Sequence, residues 1–547
     1  ANGAAGDRPA RPFTPRANGA AGDRPARPFT PRANGAAGDR PARPFTPRAN
    51  GAAGDRPARP FTPHGAAGDR PARPFTPHGA AGARPHGGFT ARRPDAPKRP
   101  VSDGLPARKL AYDVLLEVAD KDAYATLALD KQLAHTTMPV VDRHLAASLV
   151  YDTLDNLIRI DWVLAHYMAK PDTDIKLKTI LRLAACQLLF YDRIPESAAV
   201  NTAVTLCKNA GMEGLAGVCN GILRSLCRGK DELIYPDREE NVAKYLSVMF
   251  SVPEWLAEKL IADYGMEKAT AIASFRERNK ATVVRPNLTQ LDDAGFEKLL
   301  GKKVWTWEKG VMPHAYLVRG ATDIARDADF LSGMFSIQGQ SSMLAAMAVG
   351  VKPGMQVLDA CAAPGGKSCL MAEMMNGSGR VQSWELHEHR TGLIEAQCRR
   401  LHLDNVRPMT RDAITRREDI EQTMDAVLLD APCSGTGVLS DKPDVKYRLT
   451  PESIESLVKT QEALLESCCR YVKRGGVLVY STCSLLKCEN EDQLRAFLTR
   501  HPEFTVEALP ETIPEALRAQ YGELGVQLLP ERGGMDGFFV ARLRRAR

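Results

Sequence analysis

Apolar residues recur at three- and four-residue intervals between about residues 107 and 236. This spacing places the apolar side chains on one face of an α-helix, so the pattern predicts amphipathic helices in succession. We therefore expect an all-α domain over residues 105–238. The positions that define the pattern in three successive runs are Leu110, Val114, Leu115 and Val118, then Leu145, Leu149, Val150 and Leu154, then Ile180, Leu183, Ala184 and Leu188.

The pattern changes after residue 239. Helical spacing continues from Val252, and short β-type runs at residues 282–285 and 316–318 then flank a helical pattern near 292–300. These features predict linker helices followed by a small α+β subdomain, which together span residues 239–334.

From residue 335 onward, strand and helix patterns alternate. Alternation of this kind predicts a doubly wound, Rossmann-like α/β domain over residues 335–547. Ligands of such sheets bind beyond the carboxyl ends of the strands, where several acidic residues of this chain fall. The predicted strands are 356–359, 380–385, 425–430 and 476–480, and the predicted helices start at Gly366, His387 and Pro451.

The first hundred residues follow neither pattern, because they are copies of one short repeat that begins at Ala1, Ala17, Ala33 and Ala49. Each full copy has one aromatic residue, Phe13 or its equivalent, among Pro, Gly and Arg. Such a segment cannot bury enough apolar area to offset chain entropy, so a disordered tail is predicted over residues 1–104. Its arginines fit either a solvated linker or an arm that tethers RNA. The predicted fold class is therefore multi-domain.

Charge is distributed unevenly between the tail and the rest. The chain has a net charge of +7, and residues 1–100 hold 18 Lys+Arg and 6 Asp+Glu, so their +12 leaves −5 for the remaining 447 residues. An RNA surface on the folded part would therefore be a local patch. Twelve cysteines, with no signal peptide and no apolar run near 18 residues, predict a cytoplasmic protein with free thiols and no membrane partner. No metal site is predicted, because no C-x-x-C pair occurs.

Candidate chemistry begins in the loop after the strand at 356–359. Gly365 and Gly366 let the backbone approach a ligand closely, and Lys367 opens a helix whose N-terminus suits a nucleotide-like cofactor. A nicotinamide dinucleotide site is the ordinary alternative, but the G-x-G-x-x-G spacing that would support it is absent.

Two cysteines follow later strands. Cys433 lies in a Pro-Cys motif directly after Asp430 and Ala431, and Cys483 lies in a Thr-Cys motif. Carbon 5 of a pyrimidine is a poor nucleophile, so an enzyme that methylates it first adds a thiolate to carbon 6 and later expels that thiolate. One cysteine attacks and another can help release. The alternative is that both are small buried apolar residues, but their positions at strand ends favour reactive thiols.

These motifs resemble the S-adenosylmethionine-dependent RNA cytosine-5 methyltransferases, the NOL1/NOP2/Sun family. The resemblance implies S-adenosylmethionine as cofactor, with Glu385 on its ribose hydroxyls and Asp412 on its adenine amino group. It also implies that Cys483 attacks carbon 6, that Cys433 serves release, and that Asp430 bonds N3 and the exocyclic amine of cytosine. The loop residues and Asp430 that the resemblance assigns to the cofactor are Cys361, Ala362, Ala363, Pro364, Gly365, Gly366, Lys367 and Asp430.

The segment 105–238 resembles the NusB-like RNA-binding domain, through runs such as residues 199–201 and 220–224. The small subdomain is similar to the one that precedes the catalytic domain in the family, with Arg285 and Asn287 at the usual Arg-x-Asn position, which implies an RNA-binding role. Candidate RNA-facing residues on the helical domain, each equally compatible with a solvated helix face, are Arg108, Lys109, Arg143, Lys208 and Arg224.

The order of these parts is similar to the RsmB/Sun-type branch of the family. That resemblance implies a monomeric enzyme that methylates carbon 5 of a cytosine in 16S ribosomal RNA, with naked RNA before subunit assembly as a possible substrate form. A tRNA cytosine-5 methyltransferase and a non-catalytic assembly factor that binds ribosomal RNA remain alternatives. DNA cytosine methylation is disfavoured, because there the Pro-Cys thiol is the nucleophile.

Overall fold

The computed structural model describes residues 104–170, 172–277, 280–321, 323–531 and 535–547. The predicted disordered tail, apart from Gly104, lies outside the described residues. Within the described ranges, a helical domain is followed by a small sheet and then by a large mixed sheet, which confirms the predicted multi-domain class of the folded parts. No helix in these ranges combines the length and the apolar character needed to span a membrane.

Helices make up the first part of the described chain. Val114, Leu149 and Ile180, three positions of the predicted apolar pattern, have no exposed surface and lie in one shared core. The α-helices described before the first strand are α1 (Leu105–Lys121), α2 (Ala125–Ala134), α3 (Val140–Asp155), α4 (Leu157–Ala165), α5 (Ile175–Phe190), α6 (Glu196–Asn209), α7 (Ala216–Gly229), α8 (Val242–Phe250), α9 (Glu254–Tyr264) and α10 (Met266–Ser274).

Among the candidate RNA-facing residues of this domain, the prediction for Arg108 is wrong. Its side chain is buried, and its Nε donates a hydrogen bond to Gln187 Oε1 at 2.7 Å. Arg108 therefore lies in the interior of the helical domain and not on its surface. Lys109 is exposed but forms an ion pair with Asp113 one turn later. Lys208 and Arg224 are exposed.

A small antiparallel sheet follows, with the strand order β2-β3-β1-β4. Phe296 of its helix packs against Tyr316 and Phe335 of the sheet, with ring centroids 5.1 and 5.9 Å apart. Its elements are β1 (Thr282–Pro286), α11 (Asp293–Leu300), β2 (Thr306–Lys309), β3 (Tyr316–Arg319), α12 (Ala328–Leu331) and β4 (Phe335–Ile337).

The large sheet has the order β10-β12-β9-β8-β5-β6-β7, with β11 paired to β12. Strands β5 to β9 pair in parallel, whereas β10, β11 and β12 form antiparallel pairs at one side. Its strands are β5 (Gln356–Asp359), β6 (Arg380–Glu385), β7 (Val406–Thr410), β8 (Met424–Asp430), β9 (Val472–Thr482), β10 (Phe504–Val506), β11 (Val526–Leu528) and β12 (Phe538–Arg545).

The chain order reverses between β5 and β8, because β6 and β7 extend the sheet on one side of β5 while β8 and β9 extend it on the other. Such a reversal opens a crevice at the carboxyl ends of the strands, where ligands of doubly wound sheets bind. Asp359 ends β5 and Asp430 ends β8, so both residues lie at the edge of the sheet where this crevice opens. The α-helices described in this domain are α13 (Gln340–Ala348), α14 (Gly366–Met374), α15 (Glu388–Leu401), α16 (Pro451–Cys468), α17 (Glu491–Arg500) and α18 (Glu515–Arg518).

A buried ion pair joins the small sheet to the large-sheet domain. Arg285 of β1 has no exposed surface, and its Nη1 lies 2.6 Å from Glu373 Oε2 of α14. Its Nε donates to Gln338 Oε1 at 2.7 Å. Asn287 is also fully buried and donates to Leu401 O at 3.0 Å. Arg285 and Asn287 therefore fix the orientation of the small sheet on the large-sheet domain.

Residues 444–448 connect the large-sheet domain to the helical domain, and we call them the interdomain clasp. Most of its bonds end on main-chain groups of the helical domain, so they fix the position of that domain. Burial also lowers the pKa of Lys446, within the clasp, to about 7. The bonds run from Ala125 N to Asp444 Oδ2 (3.1 Å), from Lys446 Nζ to Asp155 O (3.1 Å), from Tyr447 Oη to Leu154 O (2.7 Å) and from Arg448 Nη1 to Asp122 O (2.8 Å).

The buried ion pair gives the first testable expectation. Replacing Glu373 by Ala leaves the Arg285 guanidinium buried without its anion, so we expect a loss of about 3–5 kcal/mol in the free energy of unfolding of this part of the protein. Urea unfolding followed by circular dichroism measures it. Glu308→Ala is the matched control, because Glu308 pairs with Arg319 on the exposed edge of the small sheet and should cost less than about 1 kcal/mol. Equal losses in the two variants would contradict a joining role for the buried pair.

Candidate active site

Two neighbouring parallel strands carry the two cysteines into one crevice. Strand β8 ends at Asp430 and β9 ends at Thr482, and Asp430 pairs in register with Ser481. The loops that follow bring Cys433 Sγ within 3.2 Å of Cys483 Sγ. Both thiols are partly exposed. The sequence-predicted cysteines are therefore in direct contact.

Glycines allow the loops around the cysteines to pack closely. Gly437 N donates to Cys483 O at 2.8 Å, and Gly537 N donates to Gly437 O at 3.0 Å. A Cβ on Gly437 would lie 2.0 Å from Gly537 O, which leaves no room for any other residue. Gly537, just before β12, thus packs closely against the loop that carries Cys433.

The two thiols differ in their affinity for a proton. A hydrogen bond donated by Cys433 lowers the pKa of Cys483, and the ammonium groups of Lys367 and Lys442 lower it further, against the opposing effects of burial and Asp430. The pKa of Cys433 is raised well above its usual value by the neighbouring Cys483 and by burial. Cys483 therefore ionises more readily than Cys433.

Asp430 lies beside this pair and is held on both of its oxygens. Ser481 Oγ donates to Asp430 Oδ1 at 2.7 Å, and Lys367 Nζ lies 2.7 Å from Oδ2. Burial disfavours the charged form of Lys367, but Asp430 outweighs this effect and raises the pKa of Lys367. The carboxylate of β8 thus connects the end of β9 to the glycine loop.

The glycine loop joins β5 to α14. Gly365 has φ +106°, a left-handed conformation that favours glycine, and a Cβ there would lie 3.2 Å from Ile394 of α15. Gly365 N donates to Ala362 O, and Ala362 N donates to Trp384 O of β6, both at 2.8 Å. The loop is therefore held against the end of the neighbouring strand.

The remaining residues of this loop differ in exposure. Pro364 is exposed, and Ala363, Gly366 and Lys367 are partly exposed, so they line the crevice. Cys361 packs against the core beneath the sheet, and burial raises its pKa well above the usual value. A cofactor in the crevice would meet the main chain of the loop at this position rather than a reactive thiol.

Asp359 lies under the loop rather than in it. It has no exposed surface, and Ser368 Oγ donates to its Oδ2 at 2.6 Å, while Ser383 Oγ donates to Ser368 Oγ at 2.7 Å. Burial raises the pKa of Asp359 to about 7. This chain of hydrogen bonds fixes the first turn of α14 to β5 and β6.

Two further predicted acids follow the next strands of the sheet. Glu385 ends β6 and is buried, and its Oε1 accepts bonds from His387 N and Arg390 Nη1, both at 3.2 Å. Asp412 lies just beyond β7 and is exposed, and its Oδ1 accepts a bond from Ile414 N at 2.9 Å. Adjacent strands are about 4.8 Å apart, so one extended ligand can reach the glycine loop, Glu385 and Asp412 together.

Two family models match this chain. One, the NusB family, covers residues 105–228, and the other, 16S rRNA methyltransferase RsmB/F, covers residues 346–544. The chain is 35% identical over 446 residues to the probable ribosomal RNA small subunit methyltransferase B of Bacillus subtilis, covering 80% of this chain and 98% of that relative. This chain belongs to the RsmB/F family of 16S rRNA methyltransferases. Members of the RsmB/F family are S-adenosylmethionine-dependent methyltransferases.

Another relative and a solved structure match over a similar span. The ribosomal RNA small subunit methyltransferase B of Thermus thermophilus is 34% identical over 439 residues, covering 80% of this chain and 97% of that relative. The crystal structure of PH0851 superposes with a TM-score of 0.69 at 25% identity, covering 82% of this chain and all of that one. The likeness therefore extends over the helical part as well as the catalytic domain.

Several residues around this RsmB/F site were missed by sequence reasoning. They are polar residues that hydrogen-bond around the site, and they lie next to or near a predicted residue, at the end of β5, in α16 or in the turn before α17. The repeated Cys-Ser pair at 433–434 and 483–484 was the available signal, because it places a hydroxyl beside each thiol. The missed residues are Asp359, Ser368, Ser434, Gln461, Ser481, Ser484 and Glu489.

The asymmetry of the thiol pair gives a second expectation. Lys367→Met removes a cation that lowers the pKa of Cys483 and also leaves Asp430 without its cation, so the pKa of Cys483 should rise. Alkylation of Cys483 by iodoacetamide, followed by peptide mass spectrometry across pH, should then reach its midpoint at higher pH. Lys473→Met is the control, because Lys473 pairs with Asp425 at the opposite end of β8 and β9. An unchanged or lower midpoint in Lys367→Met would refute this electrostatic account.

Proposed function

We propose that this chain methylates carbon 5 of a cytosine in 16S ribosomal RNA through a covalent bond between Cys483 and carbon 6. The observation that carries the proposal is the contact between the two thiols, of which Cys483 has the lowered pKa. The reaction needs a thiolate as its nucleophile. It also needs a neighbouring group that assists the release of that thiolate from carbon 6.

The proposed steps use residues of the crevice in turn. Cys483 Sγ forms a bond to carbon 6, and the electron pair of the carbon 5–carbon 6 double bond becomes available at carbon 5. Asp430 stabilises the adduct by hydrogen bonds to N3 and the exocyclic amine. After methyl transfer, water takes the proton of carbon 5, the electron pair of that carbon–hydrogen bond re-forms the double bond, and the carbon–sulfur bond breaks with its electron pair returning to Cys483 as a thiolate. Cys433, in contact with the departing sulfur, assists this release.

The crevice suits the cofactor of the family. S-adenosylmethionine supplies an electrophilic methyl group when bound. The glycine at φ +106° and the first turn of α14 leave a main-chain cradle for the amino-acid part, since a side chain at Gly365 would meet Ile394. We propose that residues 361–367 and Asp430 hold that part, that Glu385 accepts the ribose hydroxyls, and that Asp412 accepts the adenine amino group.

The proposed substrate is RNA free of ribosomal proteins, bound by a monomer in the cytoplasm. Exposed Lys208 and Arg224 on the helical domain support a local basic contact, and the interdomain clasp holds that domain beside the Cys433 loop. Mapping 5-methylcytosine in 16S ribosomal RNA and in tRNA, from cells with and without this protein, tests the target. A site lost from tRNA alone would support the tRNA alternative, and no lost site in either RNA would contradict the proposal.

The two thiols should give opposite products when each is replaced. Cys483→Ala should neither methylate RNA nor form an adduct, because no thiolate reaches carbon 6. Cys433→Ala should attack and transfer methyl, then stall as a covalent protein–RNA complex, visible as a shifted band on a denaturing gel.

Cys488→Ala is the control for these variants. Burial raises the pKa of this partly buried thiol to about 11, and it takes no part in the proposed steps, so activity should be retained. A shifted band with Cys483→Ala and none with Cys433→Ala would exchange the two assignments.

The proposed cofactor contacts can be measured without RNA. Glu385→Ala should weaken S-adenosylmethionine binding by about 1–3 kcal/mol, because it removes a buried charged acceptor. Asp412→Ala should cause a smaller loss, because water competes at its exposed carboxylate. Asp404→Ala, an exposed acid before the amino end of β7, should bind as the wild type does. Calorimetric titration that gives equal affinity for Glu385→Ala and wild type would remove Glu385 from the cofactor site.

A further inference from the structure

Beneath the two cysteines lies a carboxylate that the proposed steps do not use. Glu489 has no exposed surface, and it lies in the turn between the Cys483 loop and α17. Burying a carboxylate is costly unless several donors compensate for the lost water. The groups that donate hydrogen bonds to the Glu489 carboxylate therefore indicate its role.

Four hydrogen bonds end on this carboxylate, two on each oxygen. Oε1 accepts from Ser434 N and from Gln461 Nε2, both at 2.9 Å. Oε2 accepts from the hydroxyls of Ser434 and Ser484. Ser434 directly follows Cys433, and Ser484 directly follows Cys483. One side chain therefore binds the residue after each reactive thiol.

The residues on the other side of each cysteine are held by the same group of side chains. Gln461 Nε2 also donates to Pro432 O at 3.0 Å. Thr482 Oγ1 accepts a bond from the main-chain N of Ser484, a partner of Glu489, at 3.2 Å. Both cysteines are thus flanked on both sides by residues bonded to Glu489 or to its immediate partners, while the thiols themselves make no bond to it.

We propose that Glu489 is a positioning residue for methyl transfer, which holds the two cysteine loops in the register that keeps the thiols in contact. This inference rests on the proposed function. A carboxylate suits the role because it accepts four bonds and donates none, whereas a glutamine in its place has one acceptor oxygen and an NH₂ group that donates. Small displacements of reacting groups reduce rates steeply.

The charge of Glu489 also acts on the pair. After the hydrogen bond with Cys483 and burial, this carboxylate is among the groups that raise the pKa of Cys433. The other titratable groups that face the two thiols are Asp430, Lys367, Lys442 and Tyr480. Removing the charge at Glu489 should therefore ease ionisation of Cys433 and reduce the preference for a thiolate at Cys483.

The experiment compares Glu489→Gln with wild type, with Glu489→Asp and with Glu491→Gln. Glu491 is a half-buried carboxylate two residues later whose charged neighbours are Lys487, Asp492 and Asp263, so it is the matched control. Alkylation by iodoacetamide at fixed pH, read by peptide mass spectrometry, gives the share of label on each cysteine. In Glu489→Gln the share on Cys433 should rise. In Glu489→Asp, which restores the charge, the share of label on Cys433 should return towards the wild-type value. In Glu491→Gln this share should equal that of the wild type.

Methyl transfer gives the second readout. In Glu489→Gln, kcat should fall by roughly tenfold or more, with KM for RNA unchanged, because the loops that carry the thiols lose their register while the RNA surface stays intact. A folded Glu489→Gln protein with wild-type labelling and wild-type kcat would overturn the inference. If Glu489→Gln fails to fold, the same labelling comparison is made with Ser434→Ala and Ser484→Ala. Each of these variants removes one hydrogen-bond donor to Glu489.

Failure of the inference and failure of the proposed function give different results. If the wild-type protein forms no 5-methylcytosine in RNA, the proposed function fails, and the labelling comparison still decides whether Glu489 controls the thiol pair. If the wild type methylates RNA and Glu489→Gln labels and reacts like it, only the positioning role fails.

Discussion

The parallel pairing of β8 with β9 is the constraint on which the site depends. Parallel strands end at the same edge of a sheet, so the loops after Asp430 and Thr482 leave the sheet side by side. That arrangement starts the two loops side by side, and Cys433 Sγ and Cys483 Sγ, fifty positions apart in the chain, lie 3.2 Å from each other. The bond from Ser481 to Asp430 then ties the two strand ends together directly below the thiols.

Electrostatics at this edge distinguishes two side chains of the same chemical type. Two thiols in contact cannot both ionise easily, so the groups around them set which one ionises first. The hydrogen bond from Cys433 lowers the pKa of Cys483, and Lys367 and Lys442 lower it further, whereas the bond with Cys483, burial and then the carboxylate of Glu489 raise the pKa of Cys433. The folded part of the chain has a net negative charge, so this local cationic environment does not follow from its composition.

Much of the catalytic domain could be predicted from the sequence because strands and helices alternate in a simple pattern. Asp430, Cys433 and Cys483 each follow an apolar run. Because the carboxyl ends of parallel strands meet at one edge, the closeness of these three residues could be predicted from the sequence. Arg108 was wrongly placed on an RNA surface because its partner, Gln187, lies 79 positions later. The partner of Arg285 is 88 positions away. Periodicity reports which face of an element is apolar, but not which polar side chain compensates a buried charge.

Glu489 could not be recognised for a related reason. It occupies a turn, where neither helical nor strand periodicity indicates the direction of a side chain, and its four donors come from both cysteine loops and from α16. The interdomain clasp is equally hidden, since its bonds reach main-chain groups more than 290 positions earlier. Yet the clasp begins two residues after Lys442, one of the cations that lower the pKa of Cys483. The contacts that hold the helical domain and a cation that acts on the thiol pair therefore lie in one short stretch of chain.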